Sequence, residues 1–195
     1  SQEDSVSYLG LADTFYKAKK FELALENYNK AAEKDSANAE IFYKRGMVRY
    51  SLKQDSAAIA DFDRSIELNP QNHETFYSRA LCWYVLKQYE KSIADFTKAI
   101  LLKPNLENAF VYRGACYFAI AKDKECVIDE TTALSFDLKN INAYYYRALA
   151  KNQLKDYKGA IDDINKALAI KENHEYYYYR GLAKHGLKDY TGAIA

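Results

Sequence analysis

An arginine recurs along this chain at a fixed interval, and this periodicity constrains the fold more than any other feature. Three of the four intervals between these arginines are identical, and the last is shorter by one residue. Each arginine is followed by glycine or alanine, and an aromatic residue stands three positions before it. A period of about 34 residues is typical of arrays built from one repeated structural unit. The arginines are Arg45, Arg79, Arg113, Arg147 and Arg180.

The period divides the chain into five repeats and a partial sixth, which we expect to form one array over residues 1–195. Within each repeat, small and apolar residues recur at spacings that place them on one face of a helix. Each repeat is therefore predicted to hold two amphipathic helices, at 74–87 and 90–102 in the third. The repeats run about 5–38, 39–72, 73–106, 107–140, 141–173 and 174–195.

The small residues suggest how the two helices of a repeat pack. Antiparallel helices approach closely only where one of them has almost no side chain. We expect Gly114 or Ala148 to leave a hole, and a bulky residue such as Phe96 or Ile164 to fill one. Helices of about 14 residues are marginal alone in water, so each hairpin should also pack against the next one.

The whole pattern resembles the tetratricopeptide repeat family. An aromatic residue stands at position four of the repeats, a small residue at position eight and another near twenty. A further aromatic follows near twenty-four, and Pro70 and Pro104 stand near thirty-two. The resemblance implies an all-α fold, an open right-handed superhelical solenoid of antiparallel helix hairpins. In this family the first helices of the repeats line a concave groove that binds extended peptides or partner helices.

In this family positions 2, 5, 6, 9, 12 and 13 of each repeat line the groove, and tyrosines recur at positions 5, 6 and 12 of this chain. Tyrosine offers a large contact area with a polar tip, which suits protein recognition. The alternative is that these rings pack between neighbouring first helices. We expect Tyr112, Tyr145, Tyr146 and Tyr179 to be at least partly exposed on the concave side. The partner-binding groove is predicted to comprise Tyr43, Tyr77, Tyr112, Tyr145, Tyr146, Tyr178, Tyr179, Tyr50 and Tyr84.

These features predict a scaffold that binds a protein or peptide partner. A structural spacer, or a self-assembly segment of a larger chain, is the alternative. The family's dicarboxylate clamp grips the C-terminal carboxylates of chaperone tails with lysine, arginine and asparagine. The matching positions here do not reproduce that set, so we exclude a chaperone tail as ligand. They hold Leu9, Asp13, Lys44, Glu74 and Ser78.

Charge and motifs exclude several other classes of function. The chain has 28 basic and 27 acidic residues and a net charge of +1, which gives no electrostatic basis for binding nucleic acid. No apolar run approaches the roughly 18 residues needed for membrane insertion. Histidines have no recurring metal-ligand spacing, and a phosphate-binding glycine loop is missing. We therefore expect no enzyme activity, no metal and no cofactor.

Three cysteines without CxxC spacing are interpreted as buried, reduced structural thiols. Reduced thiols favour the cytoplasm, and a mature bacterial envelope protein stays open as an alternative. The cysteines are Cys82, Cys116 and Cys126.

An aspartate follows most of the arginines at one constant separation, at Asp61, Asp95, Asp129 and Asp163. The first repeat lacks both residues, which favours pairing within a repeat. A solvated charge stripe and a ligand-binding row of arginines are the alternatives. Because an arginine can bury its stem and still reach a carboxylate, we expect partly buried pairs.

The fourth repeat departs from the pattern. Glu130 stands where an aromatic residue is expected, and Leu138 replaces the proline that ends the second helix. An unpaired buried carboxylate is costly, so Glu130 should find a partner, or the helix should rotate to expose it. Either way, we expect faster amide exchange over 122–136 than in the second helix of the third repeat.

The sixth repeat is expected to continue past Ala195, since its second helix has only begun there. Tyr177, Leu182 and Leu187 would then be left uncovered on one flank. We expect residues after about 188 to be poorly ordered or held by a neighbouring chain, and this end to allow self-association.

Overall fold

The computed structural model describes residues 2–189, with side chains from Ser5 onward. They fall into two compact units, Ser1–Lys103 and Pro104–Ala195, and each is described by itself. All regular structure in the described part is α-helical, which confirms the all-α fold class. The first unit contains α1 (Gln2–Lys17), α2 (Phe21–Lys34), α3 (Ala39–Ser51), α4 (Asp55–Leu68), α5 (His73–Val85) and α6 (Tyr89–Leu102). The second contains α7 (Glu107–Ala119), α8 (Asp123–Phe136), α9 (Ile141–Gln153), α10 (Tyr157–Ile170) and α11 (His174–Gly186).

Consecutive helices of the described residues form hairpins, one for each of the five complete predicted repeats, and α11 is the first helix of the partial sixth. In the first unit α1 packs on α2, α3 on α4 and α5 on α6, and in the second α7 packs on α8 and α9 on α10. Within each unit the second helices also pack on the next first helix: α2 on α3, α4 on α5, α8 on α9 and α10 on α11. Neighbouring first helices touch as well, in the pairs α3–α5, α7–α9 and α9–α11. The single array over the whole chain stays a prediction.

The turn that follows each first helix contains a residue with positive φ. In the third repeat Lys87 has a φ of 58°, and its N–H donates to the Tyr84 carbonyl at 2.9 Å. The next N–H, of Gln88, donates to the Trp83 carbonyl at 2.9 Å. This is the Schellman pattern, in which glycine is usual. Here it is built mostly on lysine: Lys19, Lys53, Lys87, Ala121, Lys155 and Lys188.

The start of most first helices is set by an asparagine side chain. The amide oxygen of Asn72 accepts a hydrogen bond from the Glu74 N–H at 2.9 Å, which satisfies one of the free donors of the first turn. The fourth repeat has Leu106 at this place and makes no side-chain cap. The other capping asparagines are Asn38, Asn140 and Asn173.

Within hairpins, the predicted packing of a large residue into a hole left by a small one is confirmed. A Cβ atom added at Gly46 would lie 2.6 Å from the Phe62 ring. No other residue type fits there without moving that ring, so the glycine sets how closely α3 and α4 approach. The large residues at this place are fully buried in four repeats, as Tyr28, Phe62, Phe96 and Ile164.

The expected pairs of arginine and aspartate within repeats are confirmed. The paired nitrogen and oxygen atoms lie 2.6–2.7 Å apart. The aspartates are almost completely buried, whereas the arginines keep 13–20% of their side-chain area exposed. The four pairs are Arg45–Asp61, Arg79–Asp95, Arg113–Asp129 and Arg147–Asp163.

The same arginines make two further contacts. Each guanidinium lies over the aromatic ring three residues earlier, as Arg79 does over Phe76 at 5.7 Å. Most also reach back to the second helix of the preceding repeat. Arg79 donates to Asp63 at 2.6 Å, and Arg147 to Thr131 at 3.1 Å. Such an arginine therefore joins its own first helix, the second helix of its repeat and the second helix before it. Its N–H donors bond within the protein, which disfavours a ligand-binding role.

Glu130 is the exception in the core, and both outcomes expected for it are wrong. Its side chain is fully buried, yet neither carboxyl oxygen has a hydrogen-bond partner among the described residues. The side chain packs directly against Gly114, as Phe62 does against Gly46. Burial raises the pKa of Glu130 to about 10, and the nearby Asp129 adds to the shift. The carboxyl is therefore accommodated in its neutral form, which needs neither an ion pair nor exposure.

The ends of α8 and α11 bear on two features that the sequence singled out. Although Leu138 replaces the proline that ends the second helix in other repeats, α8 ends at Phe136. Tyr177, Leu182 and Leu187 are exposed by 40–41%, which agrees with an uncovered flank. The expected behaviour of the chain after residue 188 falls almost entirely on 190–195, outside the described residues.

The two carboxylates bonded to Arg79 should differ in their effect on stability. Asp95 keeps 8% of its side-chain area exposed and Asp63 keeps 49%. Asp95→Asn should lower the free energy of unfolding by about 3 kcal/mol, because it leaves a half-buried guanidinium without its main counter-charge. Asp63→Asn should cost under about 1 kcal/mol. Urea unfolding and a double-mutant cycle with Arg79→Met measure both terms, and an absence of coupling between Arg79 and Asp95 would contradict a structural pair.

Stability should fall with pH because of Glu130. Its pKa rises from 4.5 in the unfolded chain to about 10 in the folded protein. The contribution is thus fully present below pH 4.5 and is lost as pH rises towards 10, on the order of 3 kcal/mol by pH 7. Glu130→Gln should remove this dependence in urea unfolding at pH 4.5 and 7. The exposed Glu125, changed to Gln in the same helix, is the control; parallel pH profiles for wild type and Glu130→Gln would refute the assignment.

Candidate functional site

The candidate site is the face of each unit formed by the family's groove positions on the first helices. We call it the first-helix face. These helices are placed side by side by the arginine contacts and by the packing of second helices behind them. The nine tyrosines predicted for the groove lie on α3, α5, α7, α9 and α11. Their surroundings differ between the two units.

In the first unit the first-helix face contains a cavity of about 340 Å³. Two of its walls come from α1 and α3, and the Tyr28 ring of α2 closes the back. This volume suits one or two side chains of a bound segment rather than a whole helix. The cavity is lined by Asp13, Tyr16, Lys17, Tyr28, Tyr43, Lys44 and Met47.

A network of hydrogen bonds and ion pairs crosses this cavity. The Tyr28 hydroxyl donates to Asp13 at 2.5 Å, and the Lys44 ammonium donates to the other oxygen of Asp13 at 2.7 Å. Lys44 also pairs with Glu40 at 2.7 Å. Burial, followed by the hydrogen bond to Asp13, raises the pKa of Tyr28. Because Lys44 is already held by two carboxylates, it is poorly placed to grip a terminal carboxylate, which supports excluding the dicarboxylate clamp.

The predicted tyrosines of the first unit are partly structural. The ring of Tyr43 packs against Phe62 at 6.2 Å, and that of Tyr77 against Phe96 at 5.5 Å. Burial also raises the pKa of Tyr43. Tyr50 and Tyr84 are half-buried near the ends of their helices. Packing, the alternative interpretation of these rings, therefore accounts for part of their surface.

In the second unit, four of the predicted tyrosines come together on α9 and α11. We call them, with one further ring, the tyrosine cluster: Tyr145, Tyr146, Tyr176, Tyr178 and Tyr179. The Tyr145 ring lies at the centre, with centroid distances of 5.4 Å to Tyr146, 5.3 Å to Tyr176 and 5.7 Å to Tyr179. Tyr178 contacts Tyr179 at 5.2 Å. The sequence reasoning missed Tyr176, because it stands outside the groove positions.

The four rings expected to be at least partly exposed, Tyr112, Tyr145, Tyr146 and Tyr179, are so, and their place on a concave side stays a prediction. Tyr178 is 63% exposed and Tyr112 is 36% exposed, while Tyr145, Tyr146 and Tyr179 are half-buried. The Tyr145 hydroxyl donates to the Glu175 carboxylate at 2.7 Å. Burial, followed by this hydrogen bond, raises the pKa of Tyr145. The hydroxyl therefore stays a neutral donor.

The two first-helix faces differ in charge. Groove positions of the first unit carry both signs, in Asp13, Lys17, Glu40, Lys44 and Glu74. Those of α7, α9 and α11 carry one carboxylate, Glu175, one histidine, His185, and no lysine or arginine. The second face is thus aromatic with a slight negative character.

Other candidate chemistry is not assembled in the described part of the chain. The described residues contain no group of histidine, cysteine and carboxylate side chains that could hold a metal ion. Cys82, Cys116 and Cys126 are free and buried, as expected. Burial raises the pKa of Cys82 to about 12, so this thiol is unreactive. Across residues 2–189 none of the helices is long and apolar enough to cross a membrane.

The fold and the repeat pattern agree with solved structures. The chain is similar to YrrB, described as a TPR protein with an unusual peptide-binding site, at 23% identity and a TM-score of 0.82, over 96% of this chain and 94% of that one. MamA is 20% identical, with a TM-score of 0.83 over 91% of this chain and 97% of that one. A tetratricopeptide repeat protein from Parabacteroides merdae is 16% identical, with a TM-score of 0.83 over 98% and 77%. No curated protein matches the sequence significantly.

Models of the repeat itself match along most of the chain. A model described as TPR repeat matches residues 12–53. Two further models are described as tetratricopeptide repeat. One matches residues 73–106, and the other matches both 39–72 and 141–174. Three of these segments, 39–72, 73–106 and 141–174, coincide with predicted repeats to within one residue, and 12–53 spans parts of the first two repeats. The chain therefore belongs to the tetratricopeptide repeat family.

Proposed function

We propose that this chain is a protein-interaction scaffold that binds an extended segment of a partner protein on its first-helix face. Proteins of this family bind protein or peptide partners, and the structurally similar protein YrrB is described as having an unusual peptide-binding site. The main support within this chain is the exposed aromatic surface of the second unit. Tyr178 keeps 63% of its area exposed while its ring contacts a neighbouring tyrosine.

The periodic arginines and the tyrosines of the groove positions have different roles in this proposal. Each arginine of the periodic row is bonded or stacked within the protein, as the pairs of Arg45 and Arg147 show. The tyrosines of the groove positions keep exposed area and polar tips. Aromatic rings that are held by their neighbours lose little conformational freedom on binding, which is a property of binding hot spots.

The cavity of the first unit is proposed as a second contact point for a bound segment. Its aromatic lining, Tyr16 and Tyr43, offers area to an apolar side chain, while the Asp13–Lys44 pair offers polar groups of both signs. Polar groups that already satisfy each other favour apolar and neutral ligand groups over charged ones. Each unit is thus proposed to contribute a binding surface of its own.

Loss of two exposed tyrosines should weaken partner binding. In the variant Tyr112→Ala/Tyr178→Ala we expect affinity for partners captured from the native lysate to fall by more than about 2 kcal/mol, or roughly thirtyfold, because hot-spot rings are removed. Binding of each captured partner to the purified proteins is measured by calorimetry, and helicity by circular dichroism.

The matched control is Tyr177→Ala. This residue is adjacent in sequence to Tyr178 and is 41% exposed, but it stands outside the groove positions. It should leave affinity unchanged. Equal binding by wild type and the double variant would refute the first-helix face as the binding site and favour a structural spacer.

A further inference from the structure

Three rings of the tyrosine cluster, those of Tyr145, Tyr178 and Tyr179, differ from the aromatic residues at position four of the repeats in their relation to positive charge. At position four of repeats two to six, a guanidinium lies 5.0–5.7 Å from the ring centroid. In the described part of the chain, by contrast, no cationic nitrogen lies over the rings of Tyr145, Tyr178 or Tyr179. The negative faces of these rings are therefore not neutralised from within.

A carboxylate stands beside these rings. Glu175 is exposed and accepts a hydrogen bond from the Tyr145 hydroxyl at 2.7 Å. The hydroxyl uses one acceptor site of the carboxylate, which leaves others for an incoming donor. Glu175 is also the one acidic residue at the groove positions of α9 and α11, and these positions hold no lysine or arginine.

Aromatic rings and a carboxylate placed side by side are suited to binding a cation. Ring faces within about 6 Å of a cationic group attract it, and the attraction grows when water is excluded. A carboxylate at the edge adds a charge-assisted hydrogen bond. An acidic or phosphorylated segment would instead place its charge against Glu175 and the ring faces, which is unfavourable.

We propose that the tyrosine cluster binds a lysine or arginine side chain of an extended partner segment, with the ring faces contacting the cation and Glu175 accepting its hydrogen bond. The proposal rests on the proposed function and adds the chemistry of the partner. Tyr178, the most exposed ring, would cover the bound side chain, and Tyr145 would hold the carboxylate in place.

The chain offers a matched pair of glutamates for the test. Glu172 accepts a hydrogen bond from the Tyr177 hydroxyl at 2.8 Å, which reproduces the Glu175–Tyr145 contact outside the groove positions. Glu175→Gln and Glu172→Gln each remove one negative charge close to a tyrosine hydroxyl. They differ in whether the charge lies beside the tyrosine cluster.

The experiment selects binders from a displayed library of random peptides, each about a dozen residues long, on the full chain. We expect binders that depend on Tyr178 to share a lysine or arginine at one position. Replacing that residue by its neutral counterpart, citrulline for arginine or norleucine for lysine, should weaken binding about tenfold or more. Glu175→Gln should weaken binding by a similar factor, and Glu172→Gln should leave it unchanged. Dissociation constants come from calorimetry with the synthetic peptides.

The outcomes separate this proposal from the proposed function. Binders that need Tyr178 but contain no common basic residue, or that tolerate citrulline or norleucine, would overturn the cationic partner and leave the first-helix face intact. An equal effect of the two glutamate variants would overturn the role of Glu175. If no selected peptide depends on Tyr178, the proposed function and this inference both fail.

Discussion

The bond between the periodic arginine and the aspartate of the same repeat, made in repeats two to five, is the interaction on which the rest of the structure depends. A guanidinium that is mostly buried must be paired, since an isolated charge in the interior is costly. Arg79 meets this need with Asp95 on its own second helix and Asp63 on the preceding one, while its face lies over the Phe76 ring. Three helices are thereby tied by one side chain, and the tie recurs from repeat to repeat. Within each unit this bond holds a first helix to the second helices on both sides of it.

Close approach within a hairpin is the second constraint, and it explains what the fourth repeat tolerates. Gly46 lets the Phe62 ring reach the backbone of α3, and Gly114 leaves the same room in α7. Glu130 fills that room with a group of smaller volume and higher polarity. Its two oxygens have no hydrogen-bond partner among the described residues, at a place where four other repeats bury an aromatic or aliphatic side chain. Why the chain keeps a carboxyl there has no account in the contacts of the described residues.

The open side of the first helices has a different character in each unit. In the first unit, the charges of Asp13 and Lys44 neutralise each other beside a cavity. In the second, rings contact rings, and the charge of Glu175 has no cationic partner at the groove positions. A tetratricopeptide hairpin supplies the same backbone in both places, so any difference in what binds must come from these side chains.

The sequence by itself determined the hairpins, their boundaries and the arginine–aspartate pairing, because these depend on local periodicity and on a separation that recurs unchanged within repeats. It also identified the exposed tyrosines, since groove positions follow from the repeat. Two features were decided only by tertiary structure. Asp13 bonds to both Tyr28 and Lys44, and no recurring separation in the sequence indicates these contacts. Glu130 stays buried because a neutral carboxyl is accommodated against Gly114, and protonation is set by the surroundings of a group rather than by its place in the chain.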